Sequence, residues 1–177
     1  FSFVSVGHSH RITELEGALA VAQLKFLPKN LKIRKRYAAR LIKGLTPYKQ
    51  ILQLPSWPSY AEHSFMMFPI VVKNVGIKTE DLTAHLESWN IETRPIFPLL
   101  DQPVYKKLFG SQLHAYPVAA HLNKKGFFIG CHVEMAPRDV DYVLAVFRKF
   151  FEKKSVTRGR GSYASSKRAL RRSPTTV

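Results

Sequence analysis

A run of apolar residues at helical spacing, broken once by a proline, constrains the fold of this chain more than any other feature. Apolar side chains recur every three or four residues in two stretches, at Leu15, Ala18, Leu19, Ala22 and Phe26, and then at Leu31, Ala38, Leu41, Ile42 and Leu45. This spacing places the apolar side chains on one face of a helix. Because Pro28 has no backbone N–H, it kinks or restarts the helix at that point. The pattern predicts one long, kinked helix over about residues 12–45, which is unusually long for a globular domain.

The start of this helix is marked by Thr13 and Glu16. The Thr13 hydroxyl can accept a hydrogen bond from the Glu16 N–H, while the Glu16 carboxylate accepts one from the Thr13 N–H. This reciprocal pair, a capping box, predicts that the helix begins just after Thr13. A short extended stretch and a turn at residues 7–10 are expected before it.

Short strands and helices are predicted to alternate in the remainder of the chain. Prolines at 47, 55 and 58 mark an irregular connection. Strands are expected at His63–Lys73, Ile91–Phe97 and Phe127–Cys131, and helices at Thr79–Trp89 (capped by Thr79), at Tyr116–Lys125 and from Pro137 onward. This order predicts an α/β fold, in which a small sheet of about three strands is covered by helices.

The positive charge of the chain is concentrated toward its C-terminus. The net charge is +16, and residues 153–177 contain eight basic residues and no acidic one. Because this segment has almost no apolar content, we expect a basic disordered tail at 153–177 after a folded domain at 1–152. Such a tail could bind phosphates non-specifically, so a basic nucleic-acid-binding protein is an alternative, although the folded domain has no recognised nucleic-acid motif.

Several kinds of site and location are disfavoured by the composition. The single cysteine, Cys131, excludes an intrachain disulfide and a CxxC motif, and is compatible with a reducing, cytoplasmic location. The longest apolar run, Phe65–Val72, has eight residues, whereas a membrane-spanning helix needs roughly 20. His8, His10, Cys131 and His132 match no zinc-binding spacing, so no metal site is predicted. Cys131 is expected to be a small buried residue rather than a nucleophile.

Several segments, taken in order, resemble one enzyme family. They are GHSHRITEL with ALAVAQL at 7–24, FPI at 68–70, IETRPIFP at 91–98, QPVY with FIGCH at 102–105 and 128–132, and the helix at 139–151. Together they are similar to the C-terminal part of the DegT/DnrJ/StrS-type sugar aminotransferases, whose first segment follows a pattern close to G-x-N-x-R-M-T. The resemblance covers about residues 4–152. It implies the small C-terminal domain of a fold type I, pyridoxal-phosphate-dependent enzyme.

The same resemblance implies how such a chain would work. It implies a piece of a longer protein whose N-terminal domain carries the catalytic lysine, so the chain itself would contain no catalytic residue and would be inactive alone. The expected activity is transfer of an amino group from an amino-acid donor to a nucleotide-linked keto-sugar by a homodimer. Alternatives within the family are a dehydratase and a non-catalytic relative.

Candidate site residues also follow from the resemblance. In the family, the Gly-x-Asn-x-Arg turn helps to hold the cofactor phosphate of the other subunit, which implies cofactor contacts for Ser9 and Arg11. The region of Arg94, Gln102 and Tyr105 approaches the substrate, so these residues are implied to bind it. His63 and His132 also fall in matching segments and are expected to be mainly structural.

Overall fold

The computed structural model describes residues 2–8, 10–73, 76–96 and 102–169, the last sixteen of these by their backbone alone. The helices in this part are α1 (Glu14–Leu24), α2 (Leu27–Leu45), α3 (Thr79–Ser88), α4 (Pro103–Phe109), α5 (Pro117–Lys125) and α6 (Pro137–Ala169). The strands are β1 (Leu52–Gln53), β2 (Met67–Val72), β3 (Thr93–Pro95) and β4 (Gly126–Gly130). A single 3₁₀ turn, Thr46–Tyr48, follows α2. The mixed architecture confirms the predicted fold class.

The long helical region is divided in two where the sequence predicts it. The capping box is present: the Glu16 N–H donates to Thr13 Oγ1 at 3.4 Å, and the Thr13 N–H donates to Glu16 Oε2 at 2.8 Å. After α1, the chain turns at residues 25–26 and restarts as α2 with Pro28 in its first turn, where the missing N–H costs nothing.

The two halves of this region differ in burial. Helix α2 buries Tyr37, Ala38, Leu41 and Leu45 in the core. Helix α1 buries none of its residues. Its apolar side chains, such as Leu15 and Val21, are 73% and 62% exposed.

The sheet is antiparallel and has four strands in the order β1-β2-β4-β3. Strand β4 lies between β2 and β3: its residue Ile129 pairs with Phe68 of β2 on one side and with Thr93 of β3 on the other. The sequence predicts three of these strands and misses β1, which is only two residues long. The predicted strand at 63–73 starts later, at Met67, because Phe65 has a φ of 49° and a strand requires negative φ.

One hydrophobic core lies between the sheet and the helices α2, α3 and α6. Its largest fully buried side chains include Phe68, Phe127 and Phe147. Helix α3 begins one residue earlier than expected, with Lys78 in the N-cap position. Thr79 lies in the first turn of the helix and is only 7% exposed. The prediction that Thr79 caps α3 is therefore wrong, because this side chain is buried against the core instead of standing at the N-cap position.

The last helix extends into the segment expected to be disordered. Helix α6 is described to Ala169, which lies within the range 153–177 where the sequence predicts a basic disordered tail, and that boundary stays a prediction. None of the helices in the described ranges combines the length and the apolar content that crossing a bilayer requires.

Candidate functional site

The N-terminal segment is attached to the start of α4 by one buried side chain. The Phe3 N–H donates to Gln102 Oε1 at 3.0 Å, and the Val104 N–H donates to the Phe3 carbonyl at 3.0 Å. Gln102 is only 6% exposed. These bonds join positions 99 and 101 residues apart in sequence. The structure thus brings the segment that leads to Arg11 next to α4, which carries Tyr105.

Arg11 is available to bind an anion. It lies in the exposed, extended stretch just before the N-cap of α1. Among the described residues, none of the carboxylates comes within ion-pair distance of its guanidinium. His8 and His10 on the same stretch are also exposed. The other predicted cofactor contact, Ser9, lies outside the described residues.

Arg94 lies apart from this segment, on the edge strand β3. Its Nε and Nη2 atoms both lie 2.9 Å from Glu92 Oε1. Arg94 and Glu92 stand at the rim of a cavity of about 470 Å³, whose apolar lining includes Phe128, Ile129 and Met135. Arginine guanidinium groups suit carboxylate or phosphate ligands because several donors lie in one plane.

The other two predicted substrate residues do not line this cavity. Gln102 and Tyr105 lie at the start of α4, where Gln102 is engaged with Phe3. The Tyr105 ring is half-buried and stacks on Phe109 with 6.2 Å between centroids. Of the predicted site residues in the described ranges, Arg94 lines this cavity, whereas Gln102 and Tyr105 lie at the start of α4, beside Phe3 of the segment that leads to Arg11.

Cys131 is buried, which confirms the prediction from the sequence. It is 1% exposed, and its thiol donates a long hydrogen bond to the Arg34 carbonyl at 3.6 Å. Burial raises the pKa of the Cys131 thiol, so the reactive thiolate is disfavoured. The neighbouring His132 is exposed, and its Nδ1 accepts from the Glu134 N–H at 3.3 Å.

A second cavity was not expected from the sequence. Its volume is about 400 Å³, and it lies between α2 and the proline-rich connection before β2. Trp57, His63 and Phe65 line it on one side, and Lys35 and Lys43 of α2 line it on the other. The sequence signal was present as aromatic residues beside three prolines and as two lysines eight residues apart on one helix.

Known proteins resemble this chain over most of its length. The profile described as the DegT/DnrJ/EryC1/StrS aminotransferase family matches residues 2–148. The GDP-4-keto-6-deoxy-D-mannose 3-dehydratase of Escherichia coli O55:H7 is 30% identical over 84% of this chain and 38% of its own length. The GDP-perosamine synthase of Escherichia coli O157:H7 is 25% identical over 84% of this chain and 39% of its own length.

A solved structure shares the fold. The E. coli GDP-4-keto-6-deoxy-D-mannose-3-dehydratase with bound hydrated PLP superposes with a TM-score of 0.67 and 29% identity, over 82% of this chain and 38% of that chain. The present chain thus spans under two-fifths of the length of each of these relatives.

Proposed function

The chain belongs to the DegT/DnrJ/EryC1/StrS aminotransferase family, and from this premise we propose that it is the C-terminal part of an aminotransferase acting on a nucleotide-linked keto-sugar. The observation that carries the proposal is the family match itself, which starts in the exposed segment before α1 and runs into α6. The matched residues include those that join this segment to α4. In the proposed enzyme, the cofactor is pyridoxal phosphate and the amino group comes from an amino-acid donor.

The described residues fit one end of this cofactor. A guanidinium with no carboxylate partner in the described ranges, on an exposed extended stretch, has the right chemistry to bind a phosphate dianion. Arg11 would hold the phosphate, and the Ser9 hydroxyl would add one donor. When bound, pyridoxal phosphate supplies the electron sink for amino-group transfer.

The described residues do not fit the other requirement, a reactive amine. A lysine that reacts with a carbonyl is usually desolvated so that it is neutral. Each lysine whose side chain the structure describes is exposed or only half-buried. None of the described lysines thus has this environment in the chain as it stands. We propose, as the family resemblance implies, that the catalytic lysine lies in a part of the enzyme outside this chain, which covers under two-fifths of its relatives' length.

The substrate contacts belong to the residues that the family resemblance names. Arg94 would pair with an anionic group of the substrate, exchanging or sharing its present partner Glu92. Tyr105 would contact the substrate from α4. Gln102, which is buried and bonded to Phe3, would act mainly by holding the N-terminal segment in place, and a direct contact of its amide with substrate stays a prediction.

Helix α1 is proposed to pack against the remainder of the enzyme, including a second subunit of a homodimer. Its apolar side chains are exposed, and so are those of the flanking Ile12, Phe26 and Leu27, which are 66%, 53% and 45% exposed. Apolar side chains exposed together on one helix are typical of a surface that packs against another part of an assembly. A homodimer would also let Arg11 of one subunit reach the cofactor of the other.

A second candidate function is dehydration of the keto-sugar. It is favoured by the relative at 30% identity, which is a 3-dehydratase. In the family, the two reactions differ in the residue at the position of the catalytic lysine, which is not among the described residues. The contacts described above therefore do not distinguish amino-group transfer from dehydration, whereas the product formed does.

The role of Arg11 can be tested in the full-length enzyme by measuring cofactor dissociation. We expect Arg11→Ala to weaken cofactor binding roughly 10- to 150-fold, because one charge-assisted hydrogen bond contributes about 1.5–3 kcal/mol. Arg11→Lys should recover part of the loss, and Arg138→Ala, at an exposed arginine of α6, is the control. Unchanged cofactor affinity in Arg11→Ala would contradict the phosphate role.

A further inference from the structure

The cavity beside α2, called here the aromatic cleft, is separate from the cavity at Arg94. Its lining includes the cations Lys35 and Lys43, the carboxylate Glu62 and the rings of Trp57, His63 and Phe65. None of these residues lines the Arg94 cavity. Its volume of about 400 Å³ is within the range of ligand pockets, about 300–1,000 Å³.

The aromatic wall of the cleft is held in place by contacts between its own rings. Phe65 meets Trp57 edge-on at 5.2 Å between centroids and meets His63 at 4.2 Å. Phe65 is 3% exposed and fixes the wall to the core, whereas Trp57 remains 43% exposed. An indole that is anchored at one edge and open to solvent is suited to stack on a flat ligand.

The backbone at this wall is in a conformation that bulky residues rarely adopt. Phe65 has a φ of 49°, and its N–H donates to His63 Nδ1 at 2.9 Å. With Nδ1 acting as an acceptor, neutral His63 carries its proton on Nε2, which is then a donor. Unfavourable conformations of this kind persist where neighbouring contacts enforce them, and they concentrate at ligand sites.

The opposite wall supplies positive charge. Lys35 is paired with Glu62 at 2.6 Å. Lys43 is exposed, and within the described ranges no carboxylate lies at ion-pair distance from it. The cleft thus combines an exposed aromatic face with an ammonium group that is free to bind an anion.

We propose that the aromatic cleft binds a nucleoside diphosphate, with the base stacked on Trp57 and the diphosphate paired with Lys43. Every nucleobase has a π face, so stacking does not require a particular base, and lysine binds phosphate as a point charge. The inference rests on the proposed function, since a nucleotide-linked substrate makes such a ligand available. The ligand is either the nucleotide of the substrate or a free nucleoside diphosphate.

The test is calorimetric titration of the intact protein with GDP, UDP and the corresponding nucleotide-sugars. Trp57→Ala should weaken binding about tenfold, since base–aromatic stacking contributes on that order. Lys43→Gln should weaken it severalfold and reduce its dependence on salt. The matched controls are Trp89→Ala and Lys149→Gln, because Lys149 lies 3.9 Å above the Trp89 ring and neither residue lines the cleft.

The outcomes distinguish the two possible sources of the ligand, and they distinguish failure of the cleft proposal from failure of the proposed function. Equal or tighter binding of nucleotide-sugars would identify the cleft as a substrate subsite, and binding of free nucleotide alone would identify a separate nucleotide site. No binding at millimolar concentration, or unchanged binding in both Trp57→Ala and Lys43→Gln, would overturn the inference. Because Lys43 is exposed, its variant also tests the inference if Trp57→Ala misfolds. Turnover by the full-length enzyme without cleft binding would refute the cleft but not the proposed function.

Discussion

Replacing Gln102 with alanine should release the N-terminal segment from α4. The substitution removes the only side-chain hydrogen bond described for the Phe3 N–H, in which Gln102 Oε1 accepts at 3.0 Å. A neutral hydrogen bond of this kind contributes about 1 kcal/mol, which corresponds to about a fivefold change in an equilibrium constant. The second link, from the Val104 N–H to the Phe3 carbonyl, is between backbone atoms and remains.

Amide hydrogen exchange measures this release directly. In Gln102→Ala, exchange at Phe3 should be about five times faster, with a smaller effect at Val104. Gln112→Ala is the control: the Gln112 side chain also bonds a backbone atom, but its Nε2 donates to the carbonyl of Phe109, the last residue of α4, in an exposed position. In the full-length enzyme, Gln102→Ala should also weaken cofactor binding, because the loosened segment carries Arg11. Unchanged exchange at Phe3 would refute the reasoning.

Three further predictions concern packing, titration and charge. Gly44→Ala should lower the free energy of unfolding by about 1 kcal/mol, measured with urea, because a Cβ there would lie 2.5 Å from Leu144 Cδ2 and the repacking cost exceeds the gain in helix propensity. Gly17→Ala, whose Cβ meets nothing within 4 Å, should instead stabilise α1 by up to about 1 kcal/mol, and equal effects of the two would contradict the close approach. Burial raises the pKa of the Cys131 thiol, so the stability that the protonated thiol contributes is complete below its unfolded pKa of about 8.5 and is lost as pH rises through the native pKa. In urea unfolding, Cys131→Ser should therefore lose less stability at alkaline pH than the parent protein. Parallel losses in the two proteins would contradict the raised pKa. Arg94→Ala should change the unfolding free energy by at most about 1 kcal/mol, since its pair with Glu92 is exposed, while raising KM for the nucleotide-sugar in the full-length enzyme; an unchanged KM would remove Arg94 from the substrate site.

Local signals explain which elements could be predicted from the sequence. Thr13 with Glu16 and Pro28 determine where helices start through hydrogen bonds within a few residues, so the starts of α1 and α2 were predictable. The strands β2 and β4 are dense in apolar residues and were also found. Strand β1 has two residues, and its pairing depends on β2, so no local pattern reveals it. Thr79 has the preferences of a capping residue, but its position is decided by packing in the core.

The candidate site was less predictable because its contacts join residues far apart in sequence. The bond between Phe3 and Gln102 spans 99 positions, and no periodicity encodes it. The pairing of Arg94 with Glu92 is close in sequence but belongs to a cavity formed also by α6. The aromatic cleft depends on the backbone conformation of Phe65, which the sequence alone did not indicate.

The most direct test of the proposed function is the product that the full-length enzyme makes from a nucleotide-linked keto-sugar. The enzyme would be incubated with pyridoxal phosphate and glutamate, and the sugar nucleotide analysed by mass spectrometry. A nucleotide-linked amino sugar is the predicted product. A deoxygenated keto-sugar nucleotide that carries no new nitrogen, with ammonia released, would contradict transamination in favour of dehydration, and an unchanged sugar nucleotide would contradict both.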